Sequence, residues 1–173
     1  ALISGKAMIE RVYQQVEKCN KFTDIFVATD DKRISDKVKE FGGQYVYTSP
    51  KHRSGTERLW EVLEKRDFDA AVNIQGDEPI ICEDLICQIC LQLEAGKLDV
   101  VTAAYFNAAY NEYLSENVVK VVIDKNSQAL YFSRSPIPFI KKENFKGFFQ
   151  HIGIYGYKKS ALKRFIHLPP SKL

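Results

Sequence analysis

The chain has 173 residues, of which 45% are hydrophobic, 27% charged and 12% aromatic, and its formal net charge is +3. Such a length corresponds to about one domain, and the composition excludes a disordered, collagen-like or coiled-coil chain. No apolar run approaches the roughly 18 residues needed to span a bilayer, and the small positive charge is far from the excess of a dedicated nucleic-acid binder.

The chain opens in what reads as a loop leading into a helix over residues 8–16. Residues 25–29 form a short β-rich run closed by Asp30 and Asp31. An amphipathic stretch then reaches Phe41 and stops at Gly42-Gly43. Residues 45–48 read as a second strand. The following helix, 56–65, has Leu59, Trp60, Val62 and Leu63 as its apolar positions. A third strand over 70–74 runs into Gln75-Gly76-Asp77-Glu78-Pro79, followed by a helix over 83–93 and a fourth strand over 100–105. Repeated strand–helix–strand units of this length imply right-handed crossovers and a mostly parallel, doubly covered sheet.

The last third changes character. Residues 118–123, 129–133 and 152–157 are all strand-like, and Asp124-Lys125-Asn126-Ser127 reads as a hairpin turn. This predicts an antiparallel extension on the sheet, within one domain over 1–173. A short helix is expected from Ser160, as N-cap, to Ile166, with Pro169-Pro170 as its stop. Both ends read as cut, because the strand that should precede the first helix and help build the ligand crevice is missing. The fold class expected is α/β, three-layered.

Several segments could carry chemistry. Gln75-Gly76-Asp77-Glu78-Pro79 follows a buried strand, where ligands bind in open α/β sheets. Gly76 permits close backbone approach and Asp77 offers a hard oxygen to a divalent cation; a plain turn whose Asp caps the next helix is the alternative. His52-Arg53-Ser54-Gly55-Thr56-Glu57-Arg58 presents free N–H groups and hydroxyls at a helix start. The same residues fit a capping box, Ser54 with Glu57, and the two roles are compatible. Arg134, followed by Ser135-Pro136-Ile137-Pro138, sits in a rigid extended segment and could clamp a carboxylate or phosphate; otherwise it is a surface ion-pairing Arg. Alternation from His151 to Tyr157 puts His151, Gly153, Tyr155 and Tyr157 on one face of a strand.

The four cysteines are too sparse for a disulfide scaffold and nothing signals export, so a cytoplasmic protein with reduced thiols is expected. Cys82, Cys87 and Cys90 match part of an iron–sulfur spacing. No fourth Cys follows, however, and Ile86, Cys87, Ile89, Cys90 and Leu93 form one apolar patch. Buried thiols acting as small hydrophobes are the expectation.

Seven motifs in order resemble one family: Gly-Lys-x-Met-Ile at 5–9, Phe-Val-Ala-Thr-Asp at 26–30, Ser-Gly-Thr-Glu-Arg at 54–58, Asn-Ile-Gln-Gly-Asp-Glu-Pro at 73–79, Val-Lys-Val-Val at 119–122, Ala-Leu-Tyr-Phe-Ser-Arg at 129–134 and His-Ile-Gly-Ile-Tyr-Gly-Tyr at 151–157. They are similar to the 3-deoxy-manno-octulosonate (Kdo) cytidylyltransferases of lipopolysaccharide biosynthesis. The resemblance implies the nucleotide-diphospho-sugar transferase version of the α/β fold, and a homodimer. It implies transfer of CMP from CTP to Kdo with release of pyrophosphate, and Mg2+ as cofactor. Asp77 would be the catalytic metal ligand. Ser54, Gly55, Thr56 and Arg58 would bind the nucleotide, and Gln75, Arg134, His151 and Tyr155 the sugar acid. Neither nucleic acid nor membrane is expected as a partner.

The sequence also departs from that pattern. The family's triphosphate loop would lie before residue 1 and a second metal carboxylate beyond Leu173. Ala7 stands where Pro is usual, and the loop between Pro138 and His151 is shorter. The chain alone is therefore expected not to be catalytically competent. A non-catalytic sugar-acid or nucleotide-binding module, and a cytidylyltransferase for another sugar acid such as sialic acid, are the alternatives.

Overall fold

The computed structural model describes residues 1–169. In chain order the elements are β1 (Leu2–Ile3), β2 (Lys6–Ala7), α1 (Met8–Lys18), β3 (Val27–Thr29), α2 (Lys32–Glu40), β4 (Tyr45–Tyr47), α3 (Gly55–Glu64), β5 (Ala70–Asn73), α4 (Glu83–Glu94), β6 (Val100–Asn107), α5 (Tyr110–Leu114), β7 (Lys120–Ile123), β8 (Ala129–Ser133), β9 (Phe148–Lys158) and α6 (Lys159–Ile166). They fall into two compact units. One comprises residues 1–101 with the chain from Ile154 onward, and the other residues 102–153.

In the first unit, β3 and β4 pair in parallel, Val27 opposite Tyr45 and Thr29 opposite Tyr47, with α2 as the connection between them. Asp31 caps α2 by accepting from the Arg33 N–H at 2.8 Å. The helix ends as its Gly42-Gly43 pair predicts. Gly42, at φ +79°, donates to the Lys39 carbonyl and Gly43 to that of Val38, both at 3.0 Å. That is the Schellman pattern, which needs a left-handed residue just past the cap. The antiparallel edge expected from the C-terminal third is present as well, since β5 pairs with β9 from Ala70–Lys158 to Asn73–Tyr155.

Apolar spacing explains the packing. On α1, Val12, Tyr13 and Val16 are buried, and the Tyr13 hydroxyl accepts from the Gln44 N–H at 3.2 Å. Leu63 of α3, Leu162 of α6 and Tyr157 of β9 form a core that Leu59, Trp60, Phe68, Ala71, Tyr155 and Ile166 enclose. Ile89 and Leu93 of α4 lie directly on Gly156 of β9. Only a residue without a side chain leaves room for them.

The structure departs from several expectations. A hairpin, β1 with β2, occupies the opening loop, because Ser4 and Gly5 both take positive φ, as a two-residue hairpin turn requires. The last helix starts one residue before Ser160, with Lys158 at the N-cap position and no side-chain cap. Backbone bonds from Lys158 to Asp99 and from Lys159 to Asp69 fix its entry instead. Pro169 follows this helix, while Pro170 lies outside the described residues. The cysteines are not uniformly reduced, buried thiols. Cys19, at the end of α1, is bonded to Cys87 of α4, with Cα atoms 5.7 Å apart, within disulfide reach. Cys82 is exposed, and only Cys90 is a buried free thiol, pushed up to about 11 by burial.

In the second unit, β7 and β8 form the expected hairpin, Lys120 opposite Ser133, and β9 flanks β7 on its other side, Gln150 opposite Lys120. The turn closes as predicted. Asp124 Oδ1 accepts from the N–H groups of Asn126 and Gln128, both at 2.8 Å, and Ser127 takes φ +61°. The short helix α5 was not foreseen. Its N-cap is Ala109, whose N–H donates to Asn107 Oδ1 at 2.8 Å in the turn leading in, and Tyr113 then packs on Phe145 and Phe148 and donates to the Pro138 carbonyl at 2.6 Å.

The Gly156 contact yields a stability prediction. A Cβ there would stand 2.7 Å from both Ile89 Cγ2 and Leu93 Cδ1, in a buried setting with little room to yield. Gly156→Ala is expected to cost about 1–3 kcal/mol through overpacking. Urea or thermal unfolding reads this directly, and an unchanged midpoint would show that α4 stands off the strand.

Candidate active site

The first turn of α3 gathers most of the predicted nucleotide residues. Ser54 caps it, its Oγ accepting from the Glu57 N–H at 3.2 Å. Glu57 closes the box on the Arg53 N–H at 2.8 Å, one residue upstream of the cap, and also receives the Arg53 guanidinium at 2.9 Å. These bonds, the backbone one foremost, hold its carboxyl below the ordinary range. The capping reading of this segment is therefore correct.

Gly55 abuts the end of β5. A Cβ on it would stand 3.2 Å from the side-chain amides of Asn73 and of Gln75. Thr56 acts on the Tyr157 hydroxyl of β9, offsetting part of the upward push that burial gives that phenol. Arg58 reaches both strands of the parallel pair, with Nη2 2.9 Å from Asp30 Oδ1 and Nη1 donating to Thr48 Oγ1 at 2.5 Å. Its guanidinium is thus engaged by protein.

Beyond Asn73 the chain leaves the ladder. Gln75, Gly76 and Asp77 are exposed, and a bond from the Glu78 N–H to the Gln75 carbonyl turns the backbone. Gly76 faces Ile9 of α1, whose Cδ1 would lie 3.2 Å from an added Cβ. The Asp77 carboxylate makes no hydrogen bond or ion pair among the described residues. Among those residues no three His, Cys, Asp or Glu side chains converge as a preformed metal cage. One free, exposed carboxylate fits the other common arrangement, a Mg2+ held by one or two carboxylates plus substrate phosphates.

Several of these residues, but not Thr56 or Asp77, line a cavity of about 630 Å³ within the first unit. Ser54, Gly55, Arg58, Asn73, Gln75 and Gly76 supply its polar wall, and Val12, Val27, Leu63 and Val72 its apolar one. Such a volume and mixture suit a small organic ligand. Tyr155 stands opposite Asn73 in the β5–β9 register, but its ring stacks on Tyr157 at 5.8 Å and joins the core around Leu63.

The other predicted site residues belong to the second unit. Arg134 is exposed, and its Nη1 donates to the Glu116 carbonyl at 2.8 Å. His151 is half-buried, its Nε2 2.8 Å from Thr102 Oγ1 and its ring edge-on to Phe132 at 5.0 Å. Burial holds the imidazole below its usual value, so it is neutral at pH 7. The His151 N–H donates to the Val119 carbonyl at 2.9 Å, one step beyond the Ser133–Lys120–Gln150 row.

Comparison with known proteins decides the family. A cytidylyltransferase family model matches residues 1–173, the whole chain. This chain belongs to the cytidylyltransferase family. It is 40% identical over 187 aligned positions to the 3-deoxy-manno-octulosonate cytidylyltransferase of Thermodesulfovibrio yellowstonii, covering 100% of this chain and 73% of that protein. It is 44% identical to the enzyme of the same name from Fusobacterium nucleatum, covering 91% and 65%. Among solved structures, a CMP:2-keto-3-deoxy-manno-octonic acid synthetase complexed with CTP superposes with a TM-score of 0.92 at 36% identity, covering 99% of this chain and 71% of that one. A nucleotidyl transferase from Methanothermobacter, at 11% identity and TM-score 0.58, shares the fold alone. The resemblance carried by the seven motifs, and the nucleotidyltransferase type of α/β fold, are borne out.

Two features were passed over in the sequence. Asn73, the partner of Gly55, lies inside a quoted motif but was not singled out. Lys120 is wholly buried, and the signal was visible: a lysine between valines in a strand must bury its charge or break the pattern.

The loop before α3 should impose an acid limit on stability. Glu61 accepts from the Ser49 N–H at 2.8 Å and contacts His52 Nε2 at 2.6 Å, which lowers its carboxyl to about 2. A depressed carboxylate contributes stability above its unfolded value, and that contribution is lost as pH falls toward 2. In unfolding midpoints measured from pH 7 down to 2, the contribution of Glu61 is expected to be lost below about 4.5, and Glu61→Gln to flatten that part of the decline. An identical profile in the variant would show that the carboxylate does not secure this loop.

Proposed function

We propose that this chain catalyses transfer of CMP from CTP to Kdo, giving CMP-Kdo and pyrophosphate for lipopolysaccharide biosynthesis. The observation that carries this reading is the 0.92 TM-score to a CTP-complexed synthetase, joined to an unpaired carboxylate, Asp77, just past β5. In the reaction the anomeric hydroxyl of Kdo loses its proton to solvent and its oxygen forms a bond to the α-phosphorus of CTP. The bond from that phosphorus to the bridging oxygen breaks, and pyrophosphate carries away the electron pair.

The residues divide the work by chemistry. The N–H groups of Gly55 and Thr56 and the hydroxyl of Ser54, at the start of α3, are suited to the donor and acceptor edge of cytosine. Arg58, engaged by Asp30 and Thr48, fixes the strand ends around the nucleotide rather than contacting the phosphates. Gln75 offers an amide to sugar hydroxyls, and Tyr155 stands opposite Asn73 on the neighbouring strand. Arg134 can meet the Kdo carboxylate in bidentate fashion, and neutral His151 can hydrogen-bond a hydroxyl. Asp77 would hold Mg2+ together with triphosphate oxygens. Bound there, the ion would supply charge neutralisation and Lewis-acid polarisation of the phosphate. No covalent nucleophile is needed, because such a transfer depends on positioning and electrostatics.

A homodimer working in the cytoplasm, with CTP and Kdo as its small-molecule partners, completes the proposal. No helix among the described residues is long and apolar enough to cross a membrane.

Pyrophosphate release by the natural-length polypeptide tests the reading. It should require CTP, Mg2+ and Kdo together, and chelation of the ion should stop it. Asp77→Asn is expected to lower turnover about 100-fold or more, with a much smaller effect on calorimetric CTP affinity. Near-normal turnover in that variant would reject the metal role. Release only with another sugar acid would change the substrate, and binding without turnover would favour a non-catalytic module.

A further inference from the structure

We infer that Lys120 is a positioning residue for sugar-acid recognition, fixing Arg134 at both its root and its tip. This rests on the reading above, in which Arg134 binds the Kdo carboxylate. Lys120 sits in the middle strand of the second unit's ladder, between Ser133 and Gln150, with its side chain wholly buried. Its Nζ donates to the carbonyl oxygens of Ser115 at 2.6 Å, Val118 at 3.0 Å and Arg134 at 2.6 Å. An ammonium has three hydrogens and no acceptor, so these bonds use its entire capacity.

Two of the three carbonyls bear on Arg134. One is its own, so the peptide from which the arginine side chain departs is held just before the stiff Ser135-Pro136 step. Another is that of Ser115. The next residue is Glu116, whose carbonyl oxygen accepts from Arg134 Nη1 at 2.8 Å. A single ammonium thereby ties the backbone of Arg134 to the ledge on which its guanidinium rests. Bidentate pairing with a carboxylate depends on the plane of the guanidinium, and small displacements of a clamp are costly to catalysis.

The choice of residue agrees with this role. Three acceptors converge on one point, which suits a compact ammonium and not a planar guanidinium fork. An apolar side chain would leave buried acceptors unsatisfied. Among the described residues no carboxylate is ion-paired with Lys120, though the Glu116 charge partly favours the ammonium. Burial first, and then the Arg134 cation, push the ammonium below its ordinary value. Buried charge is an expensive way to gain stability alone, but three donors on one ammonium are an effective way to tie the stretch between α5 and β7 to the residue that follows β8.

Steady-state kinetics on the natural-length enzyme, with CTP, Mg2+ and Kdo, decide the matter. Lys120→Met is expected to raise KM for Kdo about tenfold or more, while KM for CTP and kcat change far less. Arg134→Ala should raise KM for Kdo by itself, and adding Lys120→Met to it should raise it little further. An unchanged KM for Kdo in folded Lys120→Met, or effects that multiply in the double variant, would overturn the inference. If Arg134→Ala alone leaves KM for Kdo unchanged, it is the assignment of Arg134 that fails, and the inference falls with it. Should Lys120→Met not fold, Lys120→Gln, which keeps two donors, is read in the same way.

Discussion

The first turn of α3 is where the first unit's candidate site is fastened together. Five consecutive residues, Ser54 to Arg58, each meet a different obligation there. Ser54 and Glu57 satisfy the helix's own orphan N–H groups and those of the incoming loop. Gly55 lets the turn lie against the amides of Asn73 and Gln75. Thr56 acts on the Tyr157 hydroxyl of β9, and Arg58 reaches the ends of β3 and β4. Strand ends are otherwise the loosest parts of a sheet, since the ladder stops there. A single helical turn that touches four of them makes a rigid wall for the cavity, and requires glycine at its point of closest approach.

The second unit answers the same requirement differently. It has a short helix, a hairpin and half of a long strand, and its fixed point is a buried ammonium surrounded by carbonyl dipoles. Arg58 keeps partial contact with water and a carboxylate partner. Lys120 has neither, and meets its desolvation cost through three short, charge-assisted bonds. The aromatic group of Tyr113, Phe145 and Phe148 supplies the apolar packing that such a small unit otherwise lacks.

Much of this was legible in the residues. Strong periodicity gave α1 to α4 to within a few positions, because buried faces such as Val12, Tyr13 and Val16 recur at helical spacing. Turn chemistry gave Gly42-Gly43 and Asp124–Ser127, where left-handed backbone and side-chain acceptors leave a clear mark. What failed was tertiary. Nothing local distinguishes the Ser4-Gly5 hairpin from a loop, or reveals that Asn107 leads into a helix of five residues. The bond between Cys19 and Cys87 joins positions 68 residues apart, so neither helix carries a sign of it. Nor could sequence show that Thr56 and Arg58 are already engaged by Tyr157, Asp30 and Thr48, because those partners come from other strands.

That engagement sharpens the meaning of Asp77. Around the first unit's site several acidic side chains are paired: Glu57 with Arg53, Glu61 with His52, Asp30 with Arg58, Asp31 with Arg33; Asp24 and Glu78 have no ion pair among the described residues. Asp77, delivered past the end of β5 by the Gly76 turn, has no such partner among the described residues. An exposed lone carboxylate contributes little to stability in either protonation state, so folding alone gives it no task. Its neighbours do suggest one. Gly55 and Gly76 both keep the adjacent surface free of side chains, and Gln75 and Asn73 present amides beside it. Beside a free carboxylate at Asp77 this wall is poorly suited to holding a bare polyphosphate, because like charges would oppose it there, although Lys21, Arg53 and Arg58 lend positive charge elsewhere in the cavity. It becomes well suited once a divalent cation travels with the phosphates. The anion then supplies what the nucleotide complex lacks, which is why the proposed chemistry places the ion at Asp77 and not at a protein-built cage.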